Sequence, residues 1–247
     1  DIYAAKALLA KVYLEMGDWQ NAFDYADEVI GSNRYTLGDL DRFSPGTSSE
    51  AIFEVISTNS VDERGMGFKN NYRSDGANAS PTLRASKELY NLATADSNDL
   101  RGQKWYRLIG EGTPDEFVGV AKFDFSYMNV PVLHLTEMKL IRAEALGELN
   151  TNLSLGETDL NDIRSRAGLL PISVVSGTQL IDATHAERRL EMVFEGDRVH
   201  QLKRQAIHGD VTEIRGAPWD CAGLVIQFPN SEGTVQGFIF NPEGGCN

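Results

Sequence analysis

Apolar residues recur with a helical period near the start of the chain, at Ala7, Leu8, Val12 and Leu14 and again at Ala22, Tyr25, Ala26, Val29 and Ile30. Gly17 and Asp18 separate the two runs. Glycine tolerates the left-handed turn that ends a helix, and aspartate is a favoured N-cap for the next. Residues 4–30 are therefore predicted to form two antiparallel helices. A second pair is predicted over 133–167, where Leu140, Ile141, Ala145 and Leu149 form one stripe and Leu160, Ile163 and Ala167 another. A loop at 150–156 joins them, and Gly168 is placed to end the second helix.

Tyr13, Gly17, Trp19 and Ala22 fit a tetratricopeptide unit, in which small residues let two helices approach and rings fill the groove beside them. One unit cannot bury both of its faces, so a partner repeat is expected. The two hairpins lie about 130 residues apart, far beyond the ~34 of a regular array. A repeat scaffold with a long insertion is the expected plan.

That insertion, residues 38–130, breaks the helical rhythm. SEAIFEVIST at 49–58 reads as a strand, LRASKELYNLA at 83–93 as a short helix and EFVGVAKFDFS at 116–126 as one or two strands. Between them, GMGFKNNYRSDGANASP and NDLRGQKWYRLIGEGTPD read as long loops rich in aromatics and amides. Loops of this length are functional or disordered. A helical pattern returns from 178 to about 208, with a break at Gly196. Beyond Gly209, WDCAGLVIQFP and GFIFNPEGGCN suggest short strands or a strapping segment.

Composition narrows the functions. With 247 residues and 41% hydrophobic side chains the chain can bury a sizeable core. Its formal charge of −13 repels nucleic acid and anionic membrane surfaces, and favours a neutral or cationic ligand. No stretch approaches the ~20 apolar residues of a membrane-spanning helix. The chain opens inside a helical pattern without a methionine or a cap, so it is expected to be a piece of a longer protein. Cys221 and Cys246 are either two free thiols or one late disulfide, which would close a loop of about 25 residues and contribute about 3 kcal/mol.

The most charged stretch is AERRLEMVFEGDRVHQLKR at 186–204. Glu187, Glu191 and Glu195 recur every four residues, and so share a helix face. Paired carboxylates can act as acid and base only in a cleft that separates their pKa values. Here Arg188 and Arg198 accompany Glu191 and Glu195, and such neighbours neutralise one another. The structural reading is favoured. No metal is expected, because HExxH is absent and His134, His185, His200 and His208 share no face. No P-loop, GxGxxG or GxSxG signature occurs, and no cofactor is expected. Asp96 and Asp99 in DSNDLRG suit turns and helix caps better than calcium. Tyr72, Arg73 and Trp105 are the candidate ligand-binding residues. They stand with Tyr106 among Asn70, Asn71, Asp75 and Lys104, and flat rings beside amides suit a sugar, whose C–H face stacks while its hydroxyls need polar partners.

Several stretches together resemble the SusD/RagB family of surface nutrient-binding lipoproteins. AAKALLAKVYLEMGDWQNAFDYADEVI resembles its tetratricopeptide helices, and VPVLHLTEMKLIRAEAL with LNDIRSRAGL its later repeat. ERRLEMVFEGDRVHQLKR resembles its ER…E…EG.R…LKR signature, and FPNSEG with FNPEGGCN its C-terminal tail. His134 and Val199 stand where many members carry arginine and an aromatic. The resemblance implies a mostly α fold of the α/α superhelix type, a single partial SusD-like domain over 1–247. It comprises a tetratricopeptide-like hairpin at 1–37, a loop-and-short-strand insertion at 38–130 as the candidate ligand-binding region, and the second hairpin, signature helix and tail at 131–247. It implies a non-enzymatic glycan-binding role in the outer membrane of Bacteroidetes, with a TonB-dependent transporter as partner. Any membrane attachment would run through an N-terminal lipid anchor absent from this chain. It makes Glu187, Glu191, Glu195 and Arg198 framework residues. The alternatives are a peptide binder of the same uptake type, a glycoside hydrolase using Glu191 and Glu195, and a tetratricopeptide adaptor.

Overall fold

The computed structural model describes residues 1–58, 71, 72, 74, 80–125, 127–224 and 228–240. The chain divides into two compact units, Asp1–Glu191 and Met192–Asn247.

The first unit begins with the predicted hairpin, α1 (Ile2–Met16) and α2 (Trp19–Gly31). The first helix, expected to open uncapped, is capped by the Asp1 carboxylate, which accepts the N–H groups of Tyr3 and Ala4; Gly17 ends α1 at φ 72°. Asp18 then caps α2 by accepting from the Asn21 N–H. Ala7, Ala10, Leu14, Ala22, Ala26 and Val29 are fully buried, and four of these six are alanines, so the helices approach closely. Beside them the Tyr13 and Tyr25 rings stack with centroids 5.6 Å apart.

The second hairpin is α5 (Leu135–Leu149) and α6 (Leu153–Arg166), followed by α7 (Gly177–Glu191). α5 is central: it packs against α2, α6 and α7. Every residue from Leu135 to Gly147 is buried, so the predicted apolar stripe is only part of the buried surface. The polar side of α5 is buried because other helices supply its counter-charges. Arg142 donates to Asp159 on α6 and to Asp27 on α2, and Lys139 donates to Asp159 and Asp162. Lys11 of α1 pairs with Glu137 at 2.7 Å, and His185 of α7 lies 3.2 Å from Glu144. Removing a charge from water is tolerable only with such partners. Helix α6 starts earlier than predicted, after the left-handed Asn150 and Asn152.

The insertion carries two ribbons. β1 (Ala51–Val55) pairs antiparallel with β4 (Val130–His134), and β2 (Tyr106–Ile109) with β3 (Phe117–Val120). Two short helices precede β2: α3 (Lys87–Ala93), capped by Ser86, and α4 (Leu100–Lys104), capped by Asp99. The strands expected within 49–58 and 116–126 and the helix within 83–93 are present. The stretch 98–115, expected to be loop, instead holds α4 and β2. At five and four residues these elements are too short to express a period.

In the second unit the helical pattern resumes as α8 (Arg198–Ile207), after left-handed Phe194 and Gly196. The expected break at Gly196 is thus part of a wider interruption over 192–197. β5 (Glu213–Ile214) and β6 (Ala217–Pro218) form a minimal ribbon. Of the two tail stretches expected as short strands or a strapping segment, the first holds a short 3-10 helix at Ala222–Leu224 and the described part of the second, 237–240, has no strand; a further 3-10 helix, Asn230–Thr234, lies between them. Cys221 is disulfide-bonded, while Cys246 lies outside the described residues.

Candidate functional site

Two polar constellations stand out in the first unit, one buried and one facing outward. The buried one surrounds Glu191, the last residue of α7, whose side chain has no solvent exposure. Its carboxylate takes ion pairs from Arg42 at 2.7 Å, Arg166 at 2.5 Å and Arg101 at 3.2 Å. Its backbone carbonyl accepts from Arg42 and from the Lys122 ammonium. Burial alone would push this carboxyl up, but Arg166, Arg42, Arg101 and Lys122 together hold it far below the ordinary carboxylate range. The network extends outward: Arg101 also pairs with Asp99 and Glu187, Arg164 pairs with Glu187, and Arg166 pairs with Glu50.

Glu191 does not fit the role of a general acid. A general acid must hold a proton near neutral pH and reach a substrate, whereas Glu191 is ionised and sealed among arginines. The framework reading of Glu187 and Glu191 agrees with this geometry, but the expected partner does not. Arg188 turns to Glu137 and Glu144 on α5, at 3.7 and 3.8 Å, and the counter-charges of Glu191 come from distant segments. Glu195 and Arg198 belong to the second unit, where Arg198 donates to Gln201.

The outward constellation is built on the β2–β3 ribbon. Side chains alternate faces along a strand, and residues directly opposite share a face. Tyr106 pairs with Val120 and Leu108 with Val118, and Tyr106, Val118 and Val120 are buried. Arg107 opposite Gly119, and Ile109 opposite Phe117, therefore form the other face. A side chain at 119 would run into the Cβ of Ser74, so the bare backbone of Gly119 is what lets Ser74 lie on the ribbon beside Arg107. Asp124 gathers the group. It accepts from the Ser74 N–H at 2.9 Å and Oγ at 3.0 Å, and its Oδ2 lies 3.2 Å from Nη2 of Arg107. Next to Asp124, the Phe123 ring meets the tilted Tyr72 ring at 5.1 Å. At the ribbon's other end the Arg84 guanidinium sits 4.0 Å from the Phe117 ring centroid.

Of the three sequence-predicted ligand residues, Tyr72 joins this cluster. It is partly buried, and that burial raises its phenol pKa. Arg73, like Asn70 and Asp75, lies outside the described residues. Trp105 is corrected: it is 2% exposed, its indole N–H donates to the Leu40 carbonyl at 2.8 Å, and Lys122 sits 4.2 Å from its ring centroid. A ring enclosed in this way packs the insertion onto the scaffold and presents no face to a sugar. Arg107, Ser74 and Asp124 were not anticipated. YRLI and FVGV gave no signal for Arg107, because it shares its face with the apolar Ile109 and Phe117 and four residues are too few to show an alternation. Among the described residues no histidine, cysteine, aspartate and glutamate cluster fits a metal ion.

The SusD family model matches residues 66–220, well over half of the chain. The chain belongs to the SusD family. A SusD superfamily protein from Bacteroides thetaiotaomicron is 28% identical and superposes with a TM-score of 0.70, over 83% of this chain and 50% of its own. One from Bacteroides vulgatus, 24% identical, gives a TM-score of 0.77 over 98% and 59%. The surface glycan-binding protein A of Bacteroides uniformis, 19% identical, gives 0.74 over 96% and 60%. The mostly helical fold is that of the family, and this SusD-family chain spans between half and three fifths of the length of these relatives. No curated protein compared with it matches.

Proposed function

We propose that this chain is a non-catalytic glycan-binding component of a cell-surface uptake system. In this reading it captures oligosaccharide at the outer membrane for delivery to a TonB-dependent, SusC-like transporter, and a lipid anchor on the longer protein holds it there. The observation that carries the reading is the outward face of the β2–β3 ribbon. Within residues matched by the SusD family, it presents a donor and an acceptor, Arg107 and Asp124, while the Tyr72 ring packs on Phe123, the chain neighbour of Asp124. The name of the Bacteroides uniformis relative, a surface glycan-binding protein, points the same way. Stacking on the ring would fix a sugar's orientation while the polar pair reads its hydroxyls. No covalent step is involved. The buried carboxylates around Glu191 serve the scaffold.

Titration calorimetry against oligosaccharides and against peptides tests the proposal. Heat with an oligosaccharide, reduced roughly tenfold or more in affinity by Tyr72→Ala, is the expected result. Arg73→Ala belongs in the same series. Heat with peptides alone would transfer the chain to peptide uptake, and new reducing ends from a polysaccharide would overturn the non-catalytic reading.

A further inference from the structure

We infer that the Arg107–Asp124 pair makes this surface selective for neutral over acidic glycans. The inference rests on the glycan-binding reading above and adds the class of sugar. Arginine is the side chain best suited to hold a sugar carboxylate or sulfate, because its planar fork matches two oxygens. On the outer face of the ribbon that role falls to Arg107, whose side chain is 48% exposed. Its charge is already answered. Oδ2 of Asp124 lies 3.2 Å from Nη2, and the Asp124 side chain is only 8% exposed, so water reaches the pair from the Arg107 side alone.

The pair has spare capacity of a particular kind. An ionised carboxylate offers about four acceptor positions. Ser74 occupies two through its N–H and hydroxyl, and Arg107 occupies a third, which leaves one. Arg107 has five N–H donors, of which this contact uses one. A neutral sugar matches that remainder: one hydroxyl donates to Asp124 while its neighbour accepts from Arg107. A uronate matches it badly. Its carboxylate must compete with Asp124 for the guanidinium and settle beside a like charge, which disfavours it directly. The chain's formal charge of −13 adds a longer-range repulsion of the same sign. Among the described residues a second cation on this face, Arg84, has its guanidinium set over the Phe117 ring, two residues along the ribbon from the Arg107–Gly119 pair.

The experiment compares neutral oligosaccharides, namely gluco-, xylo- and mannohexaose, with hexagalacturonate by calorimetry. The wild-type protein, Asp124→Asn and Arg107→Gln are measured at equal ionic strength. Wild-type protein is expected to bind a neutral hexasaccharide at least roughly tenfold more tightly than hexagalacturonate. Asp124→Asn removes the competing charge while keeping an acceptor for Ser74, and is expected to narrow or reverse that ratio. Arg107→Gln, with its fold checked by circular dichroism, should lose neutral binding without gaining the uronate. Wild-type protein that binds hexagalacturonate as well as or better than the neutral sugars overturns the inference and leaves the glycan-binding reading standing. Binding of neither class overturns that reading, and the inference with it. If Asp124→Asn does not fold, the wild-type ratio and Arg107→Gln decide.

Discussion

Glu191 shows what one side chain contributes when every neighbour is chosen for it. Three arginines converge on a carboxylate with no solvent exposure. Glu191→Gln leaves those cations short of a counter-charge, and breaking a buried pair in this way costs about 3–5 kcal/mol. Chemical denaturation should show that loss as a lower midpoint. The same residue sets an acid limit. Its folded pKa lies far below the unfolded value of about 4.3, so the native state binds fewer protons than the unfolded chain in acid. Its contribution is full above that unfolded value and is lost as pH falls toward the folded one. Wild-type stability should therefore fall between neutrality and pH ~3 more steeply than that of Glu191→Gln. Parallel curves would remove Glu191 as the cause. Spacing put Glu187 and Glu191 on one helix face, and the family resemblance made them framework residues. Their partners Arg42, Arg101 and Arg166 are separated from Glu191 by 149, 90 and 25 positions, and no local pattern points to them.

At the scale of elements, glycines decide how closely the helices approach. α5 and α7 meet where the backbone carbonyl of Gly147 occupies the space a Cβ at Gly177 would need, and a Cβ at Gly147 would lie 2.7 Å from Cγ1 of Ile181. Because backbone cannot swing aside, Gly177→Ala should part the two helices, at a cost of about 1–3 kcal/mol. Thermal melting would reveal it, and an unchanged melting temperature would show that the crossing has slack. The hairpin α1–α2 was legible because its two runs, its stop glycine and its capping aspartate all agree. Of the β2–β3 ribbon only β3 was legible, since β2 is four residues inside a polar stretch and carries too little pattern. Trp105 misled for a related reason. It is flanked by Lys104 and Tyr106, as a loop aromatic would be, yet it follows a one-turn helix that carries it inward. Composition can propose a ring for a ligand, but burial determines whether the ring is accessible.

At the scale of the molecule, charge sets the company the protein keeps. With a formal −13, neither duplex DNA nor vesicles of anionic lipid should bind at physiological salt. Affinity for a neutral hexasaccharide should change by less than about twofold between low and high salt, because no counterions are exchanged. A steep salt dependence of sugar binding would mean that an anionic group on the ligand is being read.

The sequence by itself determined the helical hairpins, the Gly17 stop and Asp18 cap of the first, and the family, because each depends on local period, on turn chemistry or on motifs that survive without coordinates. The tertiary structure alone decided which carboxylates are sealed, which ring is accessible, and that Arg107, Ser74 and Asp124 meet on one face of a ribbon. Those outcomes depend on contacts between residues far apart in the chain. Burial and electrostatic partnership are properties of such contacts, and no single stretch of sequence contains them.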